Sequence, residues 1–273
     1  MLVCNRVSFA YPKQSPAVNE VSLTIGAGEY AAVVGRNGSG KTTLTRLIMS
    51  LIKPGQGEIT FDGSNTRPYT PADMARHAGY VFQNPARQMF HDTVLAEAAY
   101  GPLQLGFSGQ EATDRAGAAL LRVGLAGQEK AYPAALSKGQ KQCLAVASAL
   151  AMEPRLLILD EPTSGQDARD KAAFMDMLEQ LQQAGLAILL ITHDMNLLAE
   201  RVPRTIVMAG GSKVYDGATA ELFQQPMVAE WGLTPPAPVY ISRQLAPYGI
   251  GLATATDELV NALRIRERGG LDG

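Results

Sequence analysis

Two short stretches of this chain carry residue types able to handle a phosphate-bearing substrate. The first is Gly35-Arg-Asn-Gly-Ser-Gly-Lys-Thr42, which fits the pattern G-x-x-x-x-G-K-[ST]. Its glycines let the backbone turn tightly with no side chain in the way. Successive N–H groups then point at one spot, together with the positive end of the helix that follows. Lys41 can reach β- and γ-phosphate oxygens, and the Thr42 hydroxyl can ligate Mg2+. The second stretch is Leu156-Leu-Ile-Leu-Asp-Glu161, an apolar run ending in two carboxylates. Asp160 can hold Mg2+ through water, and Glu161 is placed to orient or deprotonate an attacking water. Alone, such acids read equally well as a solvated strand end. With Lys41 upstream they read as the second half of a nucleoside triphosphatase site.

Two further positions are candidates only in that context. Ser137 is a natural N-cap and Gly139 leaves the backbone bare, so Ala135–Lys141 makes a second helix N-terminus able to hold phosphate. Taken by itself it is an ordinary capped helix start. His193 follows the apolar run Ala187–Thr192, where a histidine is by default structural; beside a phosphate site it becomes a γ-phosphate contact.

The elements that must position these residues are legible from periodicity. Tyr30 to Val34 reads as a short buried strand that stops at Gly35. Leu44, Leu47, Ile48 and Leu51 recur at helical spacing, so a helix is predicted from Lys41. Further strands are predicted at Leu2–Tyr11, Val21–Ile25, Glu58–Phe61, Gly79–Phe82, Arg155–Asp160 and Ala187–Thr192. A last hairpin, Thr205–Met208 with Lys213–Tyr215, turns at Gly210-Gly211. Helices are predicted at Thr93–Tyr100, Ser108–Val123, Gly139–Met152, Asp167–Gln183 and Thr256–Arg266. Continuous apolar strands alternating with helices imply an α/β fold with a mostly parallel sheet and antiparallel additions at the N-terminus.

From about Pro85 to Met152 strand signals vanish, so a helical subdomain is expected inside the α/β core. Prolines 226, 235, 236 and 238 then break the chain, and a linker is expected near Gln224–Pro238. The expected division is an ATPase core at 1–84 and 153–221, a helical subdomain at 85–152 and a small C-terminal module at 222–273.

Composition bounds the function. The 273 residues are 46% hydrophobic and 18% charged, ordinary globular usage. The net charge of −2 lacks the basic field of a dedicated nucleic-acid binder, so no nucleic-acid partner is expected. No apolar stretch approaches the ~20 residues that cross a bilayer, and the N-terminus does not read as a signal peptide. The chain is expected to be intracellular and to meet a membrane only through partners. Cys4 and Cys143 have no metal-type spacing and are expected to be buried free thiols in a reducing compartment.

Over roughly Met1–Glu221 the ordered motifs resemble the ATP-binding-cassette (ABC) ATPases. Gly35–Thr42 looks like their Walker A, Leu156–Glu161 their Walker B, and Gln83 their Q-loop glutamine. Leu136–Gln140 resembles the LSGGQ signature, Ser164–Asp167 the D-loop, His193 the switch histidine and Tyr11 the aromatic that stacks on adenine. The resemblance implies a P-loop NTPase (RecA-like) core that binds ATP and Mg2+. It implies catalytic roles for Glu161, His193, Gln83 and Lys41, and Mg2+ contacts from Thr42, Gln83 and Asp160. ATP contacts would come from Tyr11, Gly35, Asn37, Gly38, Ser39, Gly40, Lys41, Thr42 and Thr43. Two cassettes, identical or not, would form a head-to-tail dimer in which Ser137, Gly139 and Gln140 meet the other copy's ATP. Lys138 stands where the family usually has glycine, and the expectation is an altered but competent site.

The segment Gln83-Asn-Pro-Ala-Arg-Gln-Met-Phe90 and the region Trp231–Leu263 are similar to the energy-coupling factor (ECF) importers. There the ATPase docks on a transmembrane T component, a separate S component binds a vitamin or transition-metal ion, and the ATPase sits peripherally on the cytoplasmic face of the membrane. Ala86 and Arg87 replace the subgroup's usual acid. Met89 and Phe90 either belong to the core or line the groove for the partner. Competing readings are the ATPase of another ABC transporter, a soluble cassette protein of DNA repair or translation, and a regulatory ATP-binding subunit.

Overall fold

The computed structural model describes residues 1–85 and 88–269. In chain order the elements begin with β1 (Leu2–Ala10), β2 (Pro16–Ile25), β3 (Tyr30–Val34), α1 (Lys41–Ile48), β4 (Gln56–Phe61) and β5 (Ser64–Asn65). There follow α2 (Pro71–Ala75), β6 (Ala78–Val81), α3 (Val94–Gln104), α4 (Gly109–Arg122), α5 (Lys138–Leu150) and β7 (Leu156–Asp160). Then come α6 (Ala168–Gln183), β8 (Ala187–Ile191), α7 (Met195–Arg201), β9 (Arg204–Ala209) and β10 (Ser212–Ala218). The last helices are α8 (Thr219–Leu222), α9 (Ala237–Leu245) and α10 (Thr256–Gly269).

The chain divides into two compact units, Met1–Tyr30 with Thr42–Ile191, and Ala31–Lys41 with Thr192–Gly273. In the first unit β2, β1, β4 and β5 form an antiparallel sheet, with Cys4 opposite Leu23 on one side and Ile59 on the other. Strands β6, β7 and β8 run parallel, pairing Leu159 with Val81 and with Leu190. The four apolar residues of β7 are completely buried, which explains why the strand reads as an unbroken hydrophobic run. Each such side chain contributes about 1.5–3 kcal/mol as an upper bound. Among the helices, α3, α4 and α5 carry alanine-rich buried faces that let them approach closely. Thr93, Ser108, Ser137 and Asp167 each cap the helix that follows, Ser137 in the role its type suggests.

In the second unit β3 and β9 are parallel, with Val34 opposite Val207, and β9 and β10 form a hairpin around Gly210-Gly211. Beyond α8 a small satellite core gathers Ile250, Ala253 and Leu259.

Several boundaries differ from the sequence expectation. The helix from Lys41 ends at Ile48 because Ser50 turns left-handed at φ 56°, and Leu51 is half exposed outside it. Strand β2 begins at Pro16, five residues early, since a bulge at Glu20 (φ 49°) keeps the pairing with β1 alive. The expected linker at 224–238 contains a 3-10 turn at Pro226–Val228 and the start of α9, with Val228 and Leu233 buried. Phe82 lies just past β6 and is exposed. Cys4 is buried, with its thiol pushed up to about 12, but Cys143 is only half-buried. Ala86 and Arg87 lie outside the described residues.

Candidate functional site

The phosphate loop begins where β3 ends. Gly35 has φ 148°, and a Cβ there would lie 2.1 Å from the Met208 carbonyl oxygen and 2.7 Å from Ser39 Oγ. Only glycine fits. The turn closes when the Ser39 N–H donates to the Arg36 carbonyl at 3.1 Å, and Ser39's own carbonyl accepts from Gly211 N–H at 3.2 Å. Lys41 is buried, and its ammonium donates to the carbonyls of Gly35 at 2.7 Å and Arg36 at 3.0 Å. Among the described residues the buried Ser39 hydroxyl has no hydrogen-bond partner. Buried polar atoms are rarely left so, and a phosphate oxygen in an N–H-lined loop would satisfy it. These residues fit a bound nucleotide.

The first unit contains a linked set of hydroxyls that ends at a carboxylate. Thr42 is exposed at the start of α1, while Thr45, three residues on, is fully buried. Thr45 Oγ1 donates to the Thr42 carbonyl at 3.0 Å and lies 3.3 Å from the Tyr80 hydroxyl. Tyr80 in turn donates to Asp160 Oδ2 at 3.1 Å. Burial pushes the Tyr80 hydroxyl up to about 12, with Asp160's charge acting the same way, so it remains a donor at neutral pH. Glu161 sits at φ 50°, a left-handed conformation that costs a non-glycine residue of order 1 kcal/mol and clusters at functional sites. Its N–H donates to the Ile191 carbonyl at 2.9 Å, which fixes the conformation. Among the described residues no group of three or more His, Cys, Asp or Glu could hold a metal. The available donors, the Thr42 hydroxyl and the Asp160 carboxylate, suit a hard cation that keeps waters and phosphate oxygens, as Mg2+ does.

Tyr11 packs edge-on against Phe9, ring centroids 5.0 Å apart, and its hydroxyl accepts from Arg46 at 3.3 Å. A hydrogen bond with Thr43, then those of Arg46, hold the hydroxyl below the usual tyrosine range.

At the second helix start Ser137 and Gln140 form a capping box. Ser137 Oγ accepts from Gln140 N–H at 3.2 Å, and Gln140 Oε1 accepts from Ser137 N–H at 2.9 Å. Lys138 Nζ donates to the Ser164 carbonyl at 2.7 Å. Gly165 beside it has φ 66°, a left-handed turn that favours glycine. Gly139 lies against Asp170, with Oδ2 3.2 Å from where its Cβ would be.

Gln83 is exposed just past β6, and His193 is exposed before α7. Phe90 is 65% exposed and meets Tyr100 edge-on at 5.0 Å. Its loop is anchored by Glu97, only 7% exposed, whose Oε2 accepts from the N–H groups of Phe90 and His91 at 3.0 Å each and lies 3.2 Å from His91 Nδ1. The structure thus groups Gly35, Ser39 and Lys41; Thr42, Thr45 and Asp160; and Ser137, Lys138 and Ser164. Sequence reasoning missed Tyr80, Thr45 and Glu97. A lone tyrosine in a buried strand and a lone acid in the alanine-rich α3 were the available signals.

The family described as ABC transporter matches residues 18–164, and the chain belongs to it. It is an ABC-type, ATP-binding ATPase chain with the P-loop NTPase fold. A protein of Pyrococcus furiosus, provisionally named as an ABC transporter ATP-binding protein, is 39% identical over 96% of this chain and 99% of its own length. A Methanosarcina acetivorans relative of the same name is also 39% identical, but the chain spans only 41% of it. Among solved structures, cbiO1 from Clostridium perfringens, part of the ABC transporter complex cbiONQ, has a TM-score of 0.76 and 30% identity, covering 84% of this chain and 92% of that one. The ATP-binding cassette MJ0796, a dimeric post-hydrolysis structure with ADP and Pi, has a TM-score of 0.69 and 27% identity, covering 80% and 99%.

Proposed function

We propose that this chain is the ATP-hydrolysing subunit that powers import of a vitamin or transition-metal ion through an ECF-type complex. The likeness to cbiO1, a part of the complex cbiONQ, carries the reading. ATP is held with Mg2+ by residues of the loop 35–43 and by Asp160. Thr42 and Gln83 complete the metal's surroundings, and Tyr11 stacks on the base. Glu161 activates water for in-line attack on the γ-phosphorus while Lys41 and His193 stabilise the developing charge. Mg2+ held by Thr42, Gln83 and Asp160 would supply neutralisation of the phosphate charge.

A second cassette, the same or a different chain, offers Ser137, Gly139 and Gln140 to that nucleotide. The dimeric state of MJ0796 with ADP and Pi supports such a pair. In this reading residues 1–84 and 153–221 form the ATPase core, 85–152 the helical subdomain and 222–273 a module that contributes to dimer contacts. Among the described residues no helix is long and apolar enough to cross a membrane. In this reading coupling runs through transmembrane partners, as the likeness to a part of the cbiONQ complex suggests. Phe90, exposed on its Glu97-anchored loop, is the contact for the T component.

The test is purification of the tagged full-length chain from membranes. The expected co-purifying proteins are a T component and a small S component, and Phe90→Asp should lose both while keeping the wild-type melting temperature. A permease of another kind, or no membrane protein, would overturn the ECF assignment. A melted Phe90→Asp protein would show that Phe90 serves the fold, through its packing on Tyr100, rather than docking.

A further inference from the structure

The nucleotide site contains a connection that the motif residues do not account for. Thr42, Thr45, Tyr80 and Asp160 are joined in series, from the first turn of α1 to the end of β7. The direction of the series follows from counting protons. An ionised carboxylate has none to give, so the contact at Asp160 Oδ2 uses the Tyr80 proton. The 3.3 Å contact between Tyr80 and Thr45 then has one donor left, the Thr45 hydroxyl, which it shares with the Thr42 carbonyl at 3.0 Å. Tyr80 is half-buried and Thr45 fully buried, so water competes poorly for these bonds. The Tyr80 ring is also fixed from the side by Phe82, centroids 4.6 Å apart.

We propose that Tyr80 is a positioning residue that aims the Asp160 carboxylate at the Mg2+ of the bound nucleotide and ties that aim to the first turn of α1. The inference rests on the nucleotide-site reading above. One carboxylate oxygen is occupied by the phenol, and the carboxylate's rotation is thereby fixed. A carboxylate held in one orientation loses less freedom when it takes up a cation's water shell. Because Thr45 bonds the carbonyl of Thr42, displacement of that turn on nucleotide binding is felt at Asp160 through two hydroxyls.

The experiment titrates Mg2+ against a fixed concentration of fluorescent mant-ATP with the full-length chain, its Tyr80→Phe, Thr45→Val and Asp160→Asn variants, and follows thermal unfolding in parallel. Tyr80→Phe keeps the ring and removes only the hydroxyl. Its Mg2+ midpoint should rise about tenfold, the size expected for one lost hydrogen bond to a charged group, with mant-ATP binding in EDTA unchanged. Thr45→Val should move the midpoint the same way by about threefold, since Tyr80 keeps its bond to Asp160. If Asp160→Asn shifts the midpoint and Tyr80→Phe does not, the proposal fails, and a lowered melting temperature in Tyr80→Phe would then mark a purely structural hydroxyl. If neither variant shifts it, the nucleotide-site reading itself falls.

Discussion

The chain starts two helices that we propose serve the same kind of chemistry, and builds them in opposite ways. Before α1 the cap position is Gly40, which has no side chain to offer the first N–H groups. Before α5 it is Ser137, and the capping box already occupies the Gln140 and Ser137 N–H groups. The lysines differ as well. Lys41 is buried and folded over the loop's own carbonyls, whereas Lys138 is exposed and reaches 26 residues on to the Ser164 carbonyl. One terminus is shaped by glycine backbone geometry with a lysine folded across it. The other is finished with side chains that are already hydrogen-bonded before any nucleotide arrives. The first should therefore carry most of the nucleotide affinity, and the second should be the adjustable face that a partner cassette meets.

Breaking that contrast is most drastic at Gly35. Gly35→Ala forces a Cβ against the Met208 carbonyl in a backbone region that disfavours it, so nucleotide binding should be lost and stability should fall by about 2–4 kcal/mol. Isothermal titration with ATP and a thermal melt together read both effects; retained ATP affinity would show that the loop relaxes. A smaller effect is expected from Ser137→Ala. It removes the α5 cap at a cost of about 1 kcal/mol and should leave ATP affinity of the single chain unchanged while weakening ATP-driven dimerisation, measured by light scattering. Equal dimerisation would put the partner's contact elsewhere. The mildest is Lys138→Met, which keeps the length of the side chain and removes one exposed hydrogen bond. Steady-state turnover should change about twofold to fivefold with melting unchanged, because the turn between Glu161 and Asp167 loses its tether. Identical turnover would make Lys138 a surface lysine.

Most of the local architecture was legible beforehand because its causes are local. Tyr30–Val34 is bounded by the apolar run and Gly35, and Thr93, Ser108, Ser137 and Asp167 announce their helices through side chains that bond within three residues. The end of α1 was misread because Leu51 keeps the helical spacing while Ser50 breaks the backbone, a choice that spacing alone does not encode. The short helices α2 and α7 were missed, since five and seven residues carry too little periodicity to register.

By itself the sequence determined the longer strands and helices, where the glycine turn must fall, and which residue types could hold phosphate and Mg2+. Each of those follows from neighbours a few positions apart. Only the tertiary structure decided that Tyr80 meets Asp160, that Lys138 bonds Ser164 rather than standing free, that Glu97 anchors the Phe90 loop, and that Glu161 turns left-handed under the grip of Ile191. The physical reason is that a buried polar atom must find its partner wherever the packed strands and helices bring one within reach, and that distance in space has no counterpart in the spacing of letters.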